Sequence, residues 1–203
     1  MALFTNTVQT DLSIIQTLAA DLTTKSSEFV TAGKLSASIG IWHAKDNASA
    51  SVGAGTKYTI EKSYTANGND SWISVTWVQA SITAPTAMVT DGEEAAGQTV
   101  IECGAVVPVV GDIICFKNAT IGLTEFREVI ARVIAGGTES VTLKDALTNT
   151  QAQGTYYTQV EKFDIKLDLK GVVRLRVFVN NNLGSTNRAI IFRIALTTCD
   201  GIG

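Results

Sequence analysis

The residue types that most often carry chemistry are few in this chain and poorly spaced for it. The single histidine, His43, stands in Ile41-Trp42-His43-Ala44. A Ser-His-Asp or Cys-His device would have to use it, because the base of such a device takes the nucleophile's proton. No serine sits in a G-x-S-x-G elbow. His43 follows the alternation of Leu35, Ile39 and Ile41, which predicts a packed histidine near the end of a strand. Cys103, Cys115 and Cys199 are widely spaced and form no Cys-x-x-Cys. With one histidine, the usual zinc set lacks ligands, so the thiols are expected to act as small apolar core groups. Glu93-Glu94 lies in a polar stretch with no EF-hand loop around it. Gly53-Ala54-Gly55 and Gly136-Gly137 read as turns, since neither opens the G-x-x-x-x-G-K and helix of a phosphate cradle. No carboxylate pair is singled out for glycoside hydrolysis. The expectation is a non-enzyme with no catalytic residue, no metal and no cofactor.

Three tryptophans remain. Trp77 shares parity with Ile73 and Val75, which predicts a core position. Trp72 and Trp42 have the opposite parity to the apolar residues of their strands. An indole is costly to leave in water, so both are expected under a neighbouring chain, an inserted domain or a sugar, with protein burial favoured over sugar.

These residues need elements to hold them, and the elements read as strands. Leu35, Ala37, Ile39 and Ile41 alternate with polar or small residues, and Tyr58 and Ile60 alternate with Lys57, Thr59 and Glu61. After the turn cluster Ala66-Asn67-Gly68-Asn69-Asp70 come Ile73, Val75 and Trp77. These three strands are expected to form a meander with one buried face. Beyond a polar stretch at 81–97, short strands with tight turns over 99–143 suggest a small barrel. After a second polar stretch at 145–155, Phe163, Ile165 and Leu167 alternate with Lys162, Asp164, Lys166 and Asp168. Val173 to Val179 and Ile190 to Leu196, joined by an Asn/Gly turn, are expected to form a hairpin.

Neither the first strands nor the last could cover their own apolar faces. The expected fold is therefore all-β: a β-sandwich, jelly-roll or Ig-like, built from 26–94 plus 153–203, with 95–152 inserted as a small β-barrel-like domain. Residues 1–25 stand apart. Leu12, Ile15, Leu18 and Leu22 recur at three- and four-residue steps, which predicts a short N-terminal helix. It would lie on its own domain, or reach a neighbour as an arm.

The chain is long enough, at 203 residues, to bury a core. Hydrophobic residues make up 45% and charged residues 17%, too apolar for a disordered chain. Much of the surface must then be Thr, Ser, Asn and Gly. The net charge is −3, and Arg174 with Arg176 is the densest basic feature. Nucleic-acid binding, which needs clustered Lys and Arg, is not expected. No run approaches the roughly 18–20 apolar residues of a membrane span, and Met1-Ala2-Leu3-Phe4-Thr5 has no basic region of a secretory signal.

The order of these features resembles a group of tailed-bacteriophage structural proteins. The likeness lies in Trp42-His43, Asn69-Asp70-Ser71-Trp72, Gly111-Asp112-Ile113-Ile114-Cys115-Phe116 and Glu125-Phe126-Arg127-Glu128-Val129. It continues in Ser140-Val141-Thr142-Leu143-Lys144-Asp145-Ala146-Leu147, Val173-Arg174-Leu175-Arg176-Val177 and Leu196-Thr197-Thr198-Cys199-Asp200. It spans roughly residues 30–200 and is one of pattern, without a diagnostic motif. It implies a virion component assembled in the host cytoplasm. A capsid decoration (cement) protein is the leading role, and a neck or tail component the next. The implied partners are the major capsid protein or other virion proteins and further copies of the chain, with no nucleic acid and no membrane. A host glycan or receptor-binding module is the alternative from outside that class. Interface candidates are Leu12, Ile15, Leu18, Leu22, Trp42 and Trp72.

Overall fold

The computed structural model describes residues 6–9, 16–18, 23–45, 55–67, 71–80, 88–104, 108–118, 123–135, 138–153, 156–181 and 190–200. They form three antiparallel sheets and contain no α-helix. The first sheet runs β1 (Asn6–Gln9), β16 (Ile190–Asp200), β5 (Lys34–Lys45), β14 (Glu161–Asp168), with β2 (Gln16–Leu18) also on β16. The second runs β3 (Thr23–Lys25), β15 (Arg174–Asn180), β6 (Thr56–Ser63), β7 (Trp72–Ala80), with β4 (Phe29–Val30) also on β15. The third runs β8 (Met88–Val89), β13 (Tyr156–Gln159), β10 (Ile113–Phe116), β11 (Glu125–Ala135), β12 (Thr138–Leu143), β9 (Val100–Cys103).

The first two sheets make a sandwich from both ends of the chain. One buried cluster joins Ile39, Ile41, Phe192, Ile194 and Leu196 of the first to Tyr58, Ile60, Leu175, Val177 and Val179 of the second. Alternation is the cause: side chains two apart share a face, so these strands each present an apolar row to the other sheet. Burying one such side chain contributes roughly 1.5–3 kcal/mol before the entropy of ordering it.

Two expected pairings are corrected. The strands around 35–41, 57–61 and 73–77 are no meander, because β5 lies in the first sheet and β6 and β7 in the second. The last two long strands are no hairpin, because β15 lies between β6 and the β3 and β4 strands while β16 lies between β5 and the β1 and β2 strands. Each connection crosses the sandwich instead. A two-stranded hairpin leaves an apolar face wet, whereas crossing gives each strand neighbours on both sides and a facing sheet.

The N-terminal helix is also corrected at Gln16–Leu18, the part of its span that the structure describes. Within 1–25 the described residues are strands: β1 and β2 pair with β16, and β3 pairs with β15. The long strands β15 and β16 would otherwise show an open edge of backbone N–H and C=O groups. Satisfying that edge outweighs the weak helical preference of a short, Thr-rich segment.

The third sheet curls back on itself. Its order begins at β8 and ends at β9, yet Thr90, just past β8, bridges Cys103 of β9, so its two margins nearly meet. It has its own core, including Ile101, Ile114, Phe116, Val129, Val141 and Leu143. Its strands run continuously from Met88 to Gln159, between β7 and β14. Ala44 and Ile191 of the first sheet meet Cys115, Phe126 and Val160 at a third cluster, where the curled sheet abuts the sandwich.

Candidate interaction surfaces

His43 points into the sandwich and is committed to its structure. It is 4% exposed, and its Nδ1 is 2.8 Å from the Tyr58 hydroxyl, a hydrogen bond from the first sheet to the second. The rings of the two residues meet edge to face, and Tyr58 meets Phe192 the same way. Burial, helped by the negative charge of Glu161, pushes the Tyr58 phenol well above its ordinary pKa of 10.0, so it stays neutral. His43→Leu should cost about 1–3 kcal/mol by orphaning that buried hydroxyl. Adding Tyr58→Phe should return about 1 kcal/mol or more, because the orphan is removed. Urea unfolding of the three variants measures this, and strictly additive losses would contradict the pairing.

The outer face of the second sheet carries Trp72. The Arg176 guanidinium lies 4.1 Å and the Arg174 guanidinium 4.9 Å from its ring centre, close enough for cation–π attraction. Arg174 is held by Glu28 at 2.6 Å and by the Thr65 carbonyl at 2.9 Å. Arg176 is held by Glu61 at 2.5 Å. The densest basic feature of the sequence is thus neutralised and covers an indole of its own sheet. Trp72 Nε1 is buried and has no hydrogen-bond partner among the described residues.

Trp77 is corrected from core to surface, being 55% exposed. The pairing of β6 with β7 shifts register between Ile60, opposite Thr76, and Glu61, opposite Ser74. Val75 is the extra residue. A bulge reverses parity, so Thr76, Val78 and Ala80 continue the face opposite Ile60, Tyr58 and Thr56. Trp77, opposite Thr59, thereby joins Trp72, opposite Ser63, on the outer face. Lys57 Nζ lies 4.6 Å from the Trp77 ring centre. Ile73 and Val75 of the same strand are exposed as well.

Trp42 lies on the outer face of the first sheet, where that sheet meets the curled one. Its ring is edge-on to Phe126, with centres 5.6 Å apart, and the Arg193 guanidinium covers it at 5.0 Å. Burial, and then the like charge of Arg127, lower the Arg193 pKa from its usual value. Beside Trp42 the two central strands, β5 and β16, carry small residues. Ser38, Gly40, Ala195 and Thr197 floor a shallow depression of about 260 Å³, walled by Trp42, Arg193, Lys162 and Asp164.

Of the N-terminal candidates, Leu18 is 7% exposed and belongs to the sandwich core of its own chain. It is a core residue rather than a free contact. Leu12, Ile15 and Leu22 lie outside the described residues. Among the described residues no group of His, Cys, Asp or Glu is placed to hold a metal ion. Cys103 and Cys115 are buried in apolar clusters. The candidates therefore do not converge on one site: Trp72 and Trp42 lie on different sheets, and Leu18 lies between them in the core. Large exposed apolar residues collect instead on β7 and on β11, where Ile130, Val133 and Ile134 face water. Reading β7 by strict alternation hides Trp77. Only the extra residue in its pairing, a property of two strands together, reveals it. No protein-family model and no curated protein sequence matches the chain.

Proposed function

We propose that the chain is a structural protein of a tailed-phage virion, acting as a capsid decoration (cement) protein that binds the assembled head through the major capsid protein. The observation that carries this reading is β7, which presents Ile73, Val75 and Trp77 to water. Surface apolar residues gathered on one strand fit burial against another protein. The resemblance to phage structural proteins supplies the partner. The commitment of His43 to the core, and of Arg174 and Arg176 to carboxylates, favours surface contact over chemistry as the mode of action.

The test is to isolate particles of the phage that encodes the chain. Mass spectrometry should find it there in many copies, and electron microscopy should place it on the head. A location at the neck or tail would replace the cement role, and absence from particles would end the virion reading. Purified protein should also sediment with heads that lack it. Trp77→Ser should weaken that binding by about tenfold or more, the usual loss for a buried interface aromatic.

A further inference from the structure

The edge strand β14 carries a charge pattern that is its own complement. β14 ends the first sheet, paired with β5 on one side and with no strand on the other among the described residues. It reads Glu161-Lys162-Phe163-Asp164-Ile165-Lys166-Leu167-Asp168. Lys162, Asp164, Lys166 and Asp168 are exposed on one face, in the order plus, minus, plus, minus. Phe163, Ile165 and Leu167 face the core but stay only partly buried, because the sheet stops there.

The backbone agrees with the side chains. Leu169 N donates to Leu35 O at 2.9 Å, continuing the register in which Leu167 faces Ala37 and Ile165 faces Ile39. In an antiparallel pair, hydrogen-bonded residues alternate with residues whose N–H and C=O point the other way. The odd-numbered residues of β14 therefore bond β5. Lys162, Asp164, Lys166 and Asp168 aim their N–H and C=O at the open edge.

We propose that two copies of the chain join antiparallel through β14 about a twofold axis at Ile165, making one continuous sheet across the dimer. With that axis, Lys162 stands opposite Asp168 of the partner subunit, and Asp164 opposite Lys166 of the partner subunit. By symmetry the remaining two charges are matched as well. These are the residues whose backbone groups are free, so every matched pair also exchanges two hydrogen bonds. Phe163 meets Leu167 of the partner subunit on the core side, covering the half-buried row. Sliding the register by two residues in one direction sets Asp164 against itself and Lys162 against Lys166. Sliding it the other way sets Lys166 against itself and Asp164 against Asp168. Opposed like charges destabilise a strand pair, so the pattern selects one register. Charges on an edge strand ordinarily keep other strands away. Here a second copy is the one strand whose charges are the mirror of these. The pairing does not depend on the virion reading.

The experiment measures mass by sedimentation equilibrium on the full chain and three variants. The unaltered chain should reach twice 21.5 kDa. Asp164→Lys opposes lysines at two symmetry-related places, and Lys166→Asp opposes aspartates there. Each change alone should weaken dimerisation by roughly tenfold or more. Both side chain positions are exposed, so circular dichroism should be unchanged. Mixing the two single variants should restore a dimer of one copy of each. The double variant Asp164→Lys with Lys166→Asp should dimerise with itself, because its pairs are again matched. A monomeric unaltered chain, a dimer equally stable in both single variants, or a double variant that stays monomeric would each overturn the proposal.

Discussion

Phe192→Ala will cost the sandwich about 3–5 kcal/mol, the range for deleting a large buried aromatic. Phe192 is 1% exposed and sits on β16, between β5 and the N-terminal strands. Its ring lies 6.0 Å from that of Tyr58 on the facing sheet, which in turn holds His43. Truncation therefore opens a cavity where an aromatic contact and a polar bond both cross the core. The neighbours that could fill it, such as Ile41 and Ile194, are strand residues with little freedom to move inward. The expected loss is a large part of the roughly 5–15 kcal/mol that holds a typical domain. Phe192→Met, closer in volume, should lose about 1.5 kcal/mol or less. Guanidinium unfolding measures both, and a loss below about 1 kcal/mol for Phe192→Ala would mean that the two sheets do not meet around this ring.

The strands themselves were legible. Period-two alternation finds β5, β6, β14, β15 and β16, because burying one face of a strand forces that pattern on the sequence. Who pairs with whom was not. β5 takes β14 and β16 as neighbours, both from the far end of the chain. Alternation says which face is buried but nothing about the strand alongside. A turn cluster such as Asn180-Asn181-Asn182-Leu183-Gly184 fits a crossing between sheets as well as a hairpin. The N-terminal segment misled for another reason. Leu12, Ile15, Leu18 and Leu22 imitate a helical face, yet Leu18 arrives in the core on a three-residue strand. A stretch that short follows the edge it lies against more than its own preference.

The surface residues were legible in kind and only partly in place. Trp42 and Trp72 do fall on outward faces, as their parity implied. What covers them is the chain itself: Phe126 and Arg193 at Trp42, and Arg174 and Arg176 at Trp72. Cross-strand partners of this kind are set by register, which the sequence does not display. The charge order along β14 is the opposite case. It is plain in the sequence, but it acquires meaning only once β14 is known to be an edge. On a central strand the same lysines and aspartates would be matched to neighbours already present.

Glu125→Ala should cost about 3 kcal/mol, lost from the curled sheet rather than the sandwich. Glu125 is 4% exposed at the start of β11, and its carboxylate gathers the loop that follows β12. The backbone N–H groups of Thr148 and Asn149 each donate to it at 2.8 Å, and the Gln151 amide donates at 3.1 Å. Arg127 completes the set with an ion pair. Arg127 also donates to the Ala146 carbonyl at 3.0 Å and to the Thr148 hydroxyl at 2.9 Å, so the two charges clasp the loop together. Removing the carboxylate leaves several donors and a guanidinium without their acceptor. Breaking a buried pair from one side costs roughly 3–5 kcal/mol. The low end applies because the Arg127 side chain keeps 15% exposure and can regain some water. The same reasoning fixes the response of the pair. Arg127→Ala placed on Glu125→Ala removes the stranded charge, so the double variant should lose less than the sum by about 1–3 kcal/mol. Hydrogen exchange should accelerate first in residues 144–151 and along β11, while amides of β5 and β16 keep their protection. Additive losses would show that the two side chains act separately. Equal deprotection of β5 and β16 would show that the curled sheet and the sandwich unfold as one unit.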